Sequence, residues 1–222
     1  MYKKLLLAFV SIIAIQTAKA QTEKGSQMLG ASFIISTTSS DIKALNPGNN
    51  TYELRIHEKL SYYNIAPTYS YFIADKLDIG VSVGYTHVSQ KDDVVDVNGS
   101  DFSNKTNGFS GAVYLRKYFL YENKIGIRTG PFFDYEHSNT TQSSYNDPEN
   151  DNHANTYTGG VGLDFVYFPV KKLGLSAGIG NLNYSHRTAV AGSNDASKIT
   201  SNSFNLNFAN SLTLSVNYVF GK

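Results

Sequence analysis

The stretch SNSFNLNFANSLTLSVNYVF, Ser201 to Phe220, decides how the rest of the chain is read. Its even positions are Phe204, Leu206, Phe208, Asn210, Leu212, Leu214, Val216, Tyr218 and Phe220. Its odd positions are mainly small or polar, among them Asn205, Asn207, Ser211, Thr213, Ser215 and Asn217. A period of two with one apolar face belongs to a β-strand. The run is roughly twice the length of an ordinary globular strand. A strand that long, apolar on one side and aromatic at its end, fits a membrane-spanning barrel.

The N-terminus fits export. Lys3 and Lys4 precede an apolar run from Leu5 to Ile15, and Ala18-Lys19-Ala20 forms an A-x-A site before Gln21. That run is too short for a membrane helix, so residues 1–20 are expected to be a cleaved signal and 21–222 the barrel domain. No cysteine is present, which excludes a disulfide or thiolate-metal framework. Losing Lys3, Lys4 and Lys19 turns a net charge of +1 into −2, and neither value suits a nucleic-acid partner. Beyond the signal, no apolar run approaches the roughly 20 residues of a membrane helix. A mean hydropathy of −0.27 does not argue against a barrel, because alternating strands average a lipid face with a lumen face.

The same alternation recurs upstream. Leu29, Ala31, Phe33 and Ile35 share one face of a first strand, about 27–36; Tyr63, Ile65, Pro67, Tyr69, Tyr71 and Ile73 mark a second, about 60–73. Pro67 there predicts a bulge or an edge, since proline cannot donate to the ladder. Leu77 to Tyr85 predicts a third strand and 106–119 a fourth, with a phase shift near Tyr118. Ile125, Ile127, Phe133 and Tyr135 mark a fifth, and Tyr157, Val161, Leu163, Phe165 and Tyr167 a sixth. Leu173, Leu175, Ala177 and Ile179 mark a seventh, and the opening stretch is the eighth. Polar segments at 37–57, 91–105, 140–153 and 189–200 read as loops, while the intervening connections are tight turns.

An internal repeat joins these strands: Tyr71-Phe72 before Lys76-Leu77, Tyr118-Phe119 before Lys124-Ile125, and Tyr167-Phe168 before Lys172-Leu173, about every 50 residues. One up-and-down hairpin per repeat gives an all-β, eight-stranded antiparallel transmembrane barrel with short periplasmic turns and long extracellular loops. Tyr157 and Tyr167 would lie about 25 Å apart along the membrane normal, at a rise of about 3.3 Å and a tilt of about 40°. The predicted aromatic belts are Tyr71, Tyr118, Tyr167, Tyr218 and Phe220 at one interface. At the other they are Tyr63, Tyr85, Phe109, Tyr135, Tyr157 and Phe204. A lipocalin-like barrel would reverse this polarity and leave the belts unexplained.

The lumen of an eight-stranded barrel is filled by side chains. Asp78, Arg116, Arg128, Asp134, Glu136 and Asp164 have inward parity, and arginines bridging carboxylates there would form a polar plug fixing register. A gated ion path is the functional alternative. His57, His87, His137, His153 and His186 fall near the loop ends, where a rim metal site could form. Asp147, Glu149 and Asp151 alternate as in a Ca²⁺ loop, without the glycine and terminal glutamate of an EF-hand. No cofactor motif appears.

With its signal, eight strands, Lys-containing turns and aromatic C-terminal strand, the chain resembles the outer membrane protein β-barrel domain family, the small OmpA/OmpX-type barrels. The resemblance implies a cell outer membrane location of the Gram-negative type, in contact with lipid and lipopolysaccharide. It also implies that Tyr218 and Phe220 signal to the barrel-assembly machinery, although Gly221-Lys222 follow them. The expected role is non-enzymatic: loops presented for adhesion, envelope integrity or binding of an extracellular ligand. The alternatives are a narrow passive or gated pore, or a lipid A-modifying enzyme. For the last, His87-Val88-Ser89-Gln90 resembles the deacylase His-x-Ser-Asn pattern, with Gln90 in place of the asparagine and no orienting carboxylate.

Overall fold

The computed structural model describes residues 21–45, 52–95, 102–144, 147–191 and 197–221; the expected signal, 1–20, lies outside them. A strand can serve lipid on one face and lumen on the other only if its neighbours hold register. β1 (Gln27–Leu45), β2 (Tyr52–Ala74), β3 (Leu77–Val95), β4 (Phe102–Tyr121), β5 (Ile125–Ser144), β6 (Asp147–Val170), β7 (Leu173–Ala191) and β8 (Ser197–Phe220) do so. Each is antiparallel to the next, and β8 returns to β1 to close an up-and-down barrel. Closure satisfies the backbone groups that an open sheet would expose to lipid.

The outer face is apolar in rows. Leu29, Ile65, Val81, Val113, Ile127, Phe165, Leu175 and Leu214 all point outward. A continuous apolar belt of this size would drive aggregation in water; a bilayer covers it. On β8, Phe204, Leu206 and Phe208 are 70%, 74% and 67% exposed, as the opening parity requires.

Four local expectations change. The polar segments read as loops are largely paired strand: β1 runs to Leu45, β2 begins at Tyr52, and β5 and β6 approach to Ser144 and Asp147. Stretches such as Ser36 to Ser40 are polar on both faces, so they carry no amphipathic signal although their backbones pair. Pro67 makes no bulge, because Ile65↔Tyr85 and Thr68↔Ser82 keep one register across it. The ladder simply skips the row where proline cannot donate. On β7 a bulge at Gly178–Gly180 does shift the phase. Leu182 and Tyr184 therefore face outward, and Ile179 does not continue the row of Leu175.

The fourth correction is Tyr118, assigned above to a lipid-facing belt. β4 keeps its parity to the end, with Phe119 and Tyr121 outward and Tyr118 1% exposed inside the barrel. The second turn explains it. Glu122 and Asn123 both take positive φ (47° and 54°), and the Lys124 amide donates to the Tyr121 carbonyl at 2.9 Å. This I′-type turn is one residue longer between tyrosine and lysine than its two counterparts. A one-residue change moves a side chain to the opposite face.

The turn end is closed by a repeated device. The amides of Phe72, Tyr118, Phe168 and Val219, on β2, β4, β6 and β8, donate to the carbonyls of Ser26, Lys76, Lys124 and Lys172, at 2.7–2.9 Å. These same residues, with Met28 and Val166, form the buried apolar cluster. The backbone bond positions each side chain over the lumen, and together they make a floor. Residues 21–26 add to it: the Gly25 amide donates to the Phe72 carbonyl (2.9 Å) and the Lys76 amide to the Thr22 carbonyl (2.7 Å).

The β1–β8 seam is the shortest pairing, from Gln27↔Phe220 to Phe33↔Leu214. At Gly30 a Cβ would collide with the Asn217 side chain and stand 2.9 Å from the Val216 carbonyl oxygen. Gly30→Leu is therefore expected to abolish the fast-migrating folded band on an unboiled gel. Gly162→Ala should keep that band, since a Cβ added there would meet nothing within 4 Å.

Candidate functional site: the lumen network and the outer girdle

Above the floor, inward parity brings opposite charges together. Arg116 on β4 grips Asp78 on β3 through Nε (3.1 Å) and Nη2 (2.7 Å), the bidentate geometry that suits guanidinium and carboxylate. Asp78 is fully buried and also accepts from the Tyr118 hydroxyl at 3.0 Å. That hydroxyl accepts in turn from Nη1 of Arg128 on β5, 3.3 Å away. Arg128 donates from Nε to Asp164 on β6 (2.7 Å) and from Nη2 to Ser176 on β7 (3.1 Å). Asn217 on β8 reaches the same serine at 3.4 Å. One chain of polar contacts thus crosses six consecutive strands.

Buried charges survive only when paired and hydrogen-bonded. Arg116 has further support, its Cζ lying 3.8 Å from the Tyr114 ring centroid. The ring lies across Gly80, where a Cβ would be 2.5 Å from it, so a side chain there would have to displace the ring. Asp134 and Glu136 stand apart. They face inward higher on β5, beyond Phe132, and among the described residues no ion pair joins them to either arginine. A cavity of about 480 Å³ lies above the pairs, lined by Tyr114, Arg116, Arg128, Phe132, Asp164 and Asn207 among others.

A second arrangement lies on the lipid face at the loop end. The Tyr85 hydroxyl and His87 Nδ1 both donate to the Asn107 amide oxygen, at 3.0 and 2.7 Å. Tyr135 and His137 do the same to Asn155, both at 2.8 Å. Tyr184 and His186 repeat it on Asn202, at 3.0 and 2.8 Å. An amide oxygen can only accept, so each imidazole donates from Nδ1. Each asparagine sits two residues before an aromatic: Phe109, Tyr157 and Phe204, paired with Tyr85, Tyr135 and Tyr184. The signal, Tyr-x-His followed by Asn-x-aromatic on the next strand, is present in the sequence at the hairpin period. Reading the histidines one at a time misses it, and Tyr184 with it.

The model of the Helicobacter outer membrane protein family matches residues 113–218, from mid-β4 to the end of β8. That match covers just under half of the chain. With the closed barrel and its apolar outer band, it makes the chain similar to small outer-membrane β-barrel proteins. No curated protein matches it in sequence. It is similar to Ail, the attachment invasion locus protein of Yersinia pestis, solved with the heparin analogue sucrose octasulfate. There the TM-score is 0.42 at 12% identity, over 89% of this chain and 99% of that one. It is also similar to a major outer membrane protein of Thermus thermophilus (0.43, 14%, 88% and 99%). OprG of Pseudomonas aeruginosa compares likewise (0.44, 14%, 92% and 100%).

Within this barrel, Tyr71 and Tyr167 face outward at the turn end, where β4 supplies Phe119 and Tyr121 instead of Tyr118. Tyr218, half-buried, stacks on Phe220 with ring centroids 6.2 Å apart. At the loop end Tyr63, Phe109, Tyr135, Tyr157 and Phe204 are exposed, and Tyr85 packs between Tyr63 and Phe109. His87 and Ser89 share the outward face, but no hydrogen bond joins them among the described residues, and His87 Nδ1 is held by an amide. Ser138 is buried in the lumen while its neighbour His137 faces out. The side chains of Asp147 and Glu149 lie outside the described ones; Asp151 is exposed and accepts from Thr141 at 2.9 Å. Among the described residues no cluster of three or more His, Asp or Glu is placed to hold a metal ion.

Removing one partner of the inner ion pair leaves a buried charge, which costs about 3–5 kcal/mol. Asp78→Ala should destabilise the folded gel band in a urea titration by that much, and Asp78→Leu with Arg116→Met should recover most of it. Asp134→Asn, outside the chain of contacts, should shift the urea midpoint far less.

Proposed function

We propose that this outer-membrane barrel is a non-enzymatic presenting scaffold whose lumen does not conduct. In this reading residues 1–20 export the chain across a Gram-negative inner membrane. The Tyr218–Phe220 end is read by the barrel-assembly machinery, and the strand ends and loops meet an extracellular ligand. The observation carrying it is an asymmetry along the barrel axis. At the turn end the lumen is filled by Phe72, Tyr118, Phe168 and Val219, with the Asp78–Arg116 and Arg128–Asp164 pairs stacked above. At the other end β1, β3 and β5 run on past the aromatic girdle to Leu45, Val95 and Ser144. A carrier of solutes needs a path, and the 480 Å³ space above the arginines has that floor beneath it. An acyl-transfer or hydrolytic role needs an oriented base beside a nucleophile, which His87 and Ser89 do not form.

The test has two parts. In planar bilayers the wild-type barrel should insert without discrete conductance steps. Phe72→Ala with Phe168→Ala should introduce them by opening the floor. Deleting residues 96–101 or 192–196 should abolish surface binding of whole cells to extracellular targets while the folded gel band persists. Steps from the intact protein, or binding that survives both deletions, would overturn the presenting-scaffold reading.

A further inference from the structure

We propose that His137 on β5 and His153 on β6 form a two-imidazole site for a divalent transition-metal ion, Cu²⁺ or Zn²⁺, on the outer face of the barrel. The two residues stand diagonally across one ladder: His137 lies opposite Asn155, and His153 opposite Asn139. All four have outward parity, in the rows just beyond the Tyr135↔Tyr157 pair. The imidazole centroids are 6.4 Å apart and the rings are tilted by 36°. Among the described residues no other two histidine rings are in contact. Lying on the outer face, the site is independent of whether the lumen conducts.

The chemistry of each ring suits coordination. His137 donates from Nδ1 to the Asn155 amide oxygen at 2.8 Å, which leaves Nε2 as the nitrogen with a free lone pair. A metal-binding imidazole donates its other nitrogen in this way, which fixes its tautomer and orientation. Tyr135 donates to the same oxygen at 2.8 Å, so the asparagine is itself held. The His153 ring has no hydrogen-bond partner among the described residues and is free to turn. A metal–nitrogen bond of about 2.1 Å puts two rings on a tetrahedral ion about 5.3 Å apart between centroids, and at most about 6.5 Å apart with collinear bonds. The observed 6.4 Å is at the open end of that range, and rotation of His153 alone can close it.

The repetition of the girdle isolates this pair. The β3–β4 and β7–β8 hairpins carry the same tyrosine, histidine and asparagine, but Lys105 and Thr200 stand where β6 has His153. Those hairpins hold an oriented imidazole and lack the second ligand. The nearest outward charges to the pair are Asp151, the next outward position beyond His153, and Lys105, one row further on β4 opposite Thr141. Two protein ligands leave the remaining positions on the ion to water, so the ion is exchangeable, unlike that of a closed four-ligand site. Imidazole ligands select Cu²⁺ and Zn²⁺ over Mg²⁺ and Ca²⁺, which take oxygen.

The test uses the purified folded barrel in detergent, without a polyhistidine tag, titrated with Cu²⁺ and followed by electron paramagnetic resonance. Wild type should take up one ion per barrel, with a spectrum showing two imidazole nitrogens. His153→Thr, which gives this hairpin the residue found in β7–β8, should lose that spectrum. It should bind at least on the order of tenfold more weakly, since even the outer partners of a metal ligand are worth that much. Thr200→His, which sets the same diagonal pair with His186, should take up a second ion. His87→Ala should leave the one-to-one uptake unchanged, and Mg²⁺ at millimolar concentration should not compete. Equal uptake by wild type and His153→Thr, a second ion that fails to appear in Thr200→His, or competition by Mg²⁺ would overturn the proposal. The unboiled gel band of each variant reports barrel assembly separately, so loss of the ion with the band intact concerns the site and not the fold.

Discussion

The hydroxyl of Tyr118 is the joint on which the interior depends. It donates to Asp78 and accepts from Arg128, so two ion pairs that would otherwise be separate become one unit. An eight-stranded barrel leaves space for one layer of large side chains at any height. Filling that layer with charges is tolerable only if each finds partners in the layer, because lipid outside and apolar floor below supply none. The arrangement recruits a residue from β3, β4, β5, β6, β7 and β8. Those strands are thereby tied across the lumen as well as along the ladder. β1 takes part through Gly30, whose missing side chain leaves room for Asn217.

The same hairpin is used repeatedly, with changes that matter. The girdle motif moves from the row of Tyr85↔Phe109 to that of Tyr135↔Tyr157 and then Tyr184↔Phe204. Following the ladder from β4 to β5, Phe109 faces His137 rather than Tyr135, so the motif drops two residues per hairpin. Tilted strands climb as one goes round a barrel. A motif that must stay at the membrane interface therefore has to descend by that stagger. In the first hairpin the corresponding positions are Ile35, Thr37, Ser61 and Tyr63. Only the aromatic is kept there, and above it the lysines of β2–β4 begin.

Parity made most of the barrel legible. Lipid and lumen are such different environments that a strand such as Ser201–Phe220 has to declare its faces. Legibility failed where that contrast vanished or was interrupted. Ser36 to Ser40 and Thr140 to Ser143 lie beyond the apolar band, so both faces are polar and a paired strand looks like a loop. Tyr118 is misplaced by the repeat because Tyr-Phe before a lysine turn looks the same in all three copies, while one added residue, in the Glu122-Asn123 turn, reverses its parity. The bulge at Gly178–Gly180 hid because glycines belong to neither face. The arginine–carboxylate partners could be named from inward parity, but which charge meets which depends on stagger. That is why Asp134 and Glu136 could not be separated from Asp78 and Asp164 in sequence.

The two ends of the barrel answer different physical demands. At the turn end, short connections let the backbone itself do the closing: four strand amides bond to the preceding segment and swing buried side chains over the lumen. Nothing in that device depends on solvent or ligand, and its side chains are among the buried ones of the described residues. Among the described residues, the loop end has no such backbone closure. Order there comes from side-chain clusters on the outside, where tyrosine, histidine and asparagine satisfy one another at the lipid boundary. Polar groups at that depth must be held, since an unpaired one would be dragged toward hydrocarbon. Held in this way, each cluster keeps its tyrosine and histidine fixed on the outward face. A rigid, occluded base and an outward-turned polar rim are what a scaffold needs if its chemistry lies in what it touches outside and not in what passes through it.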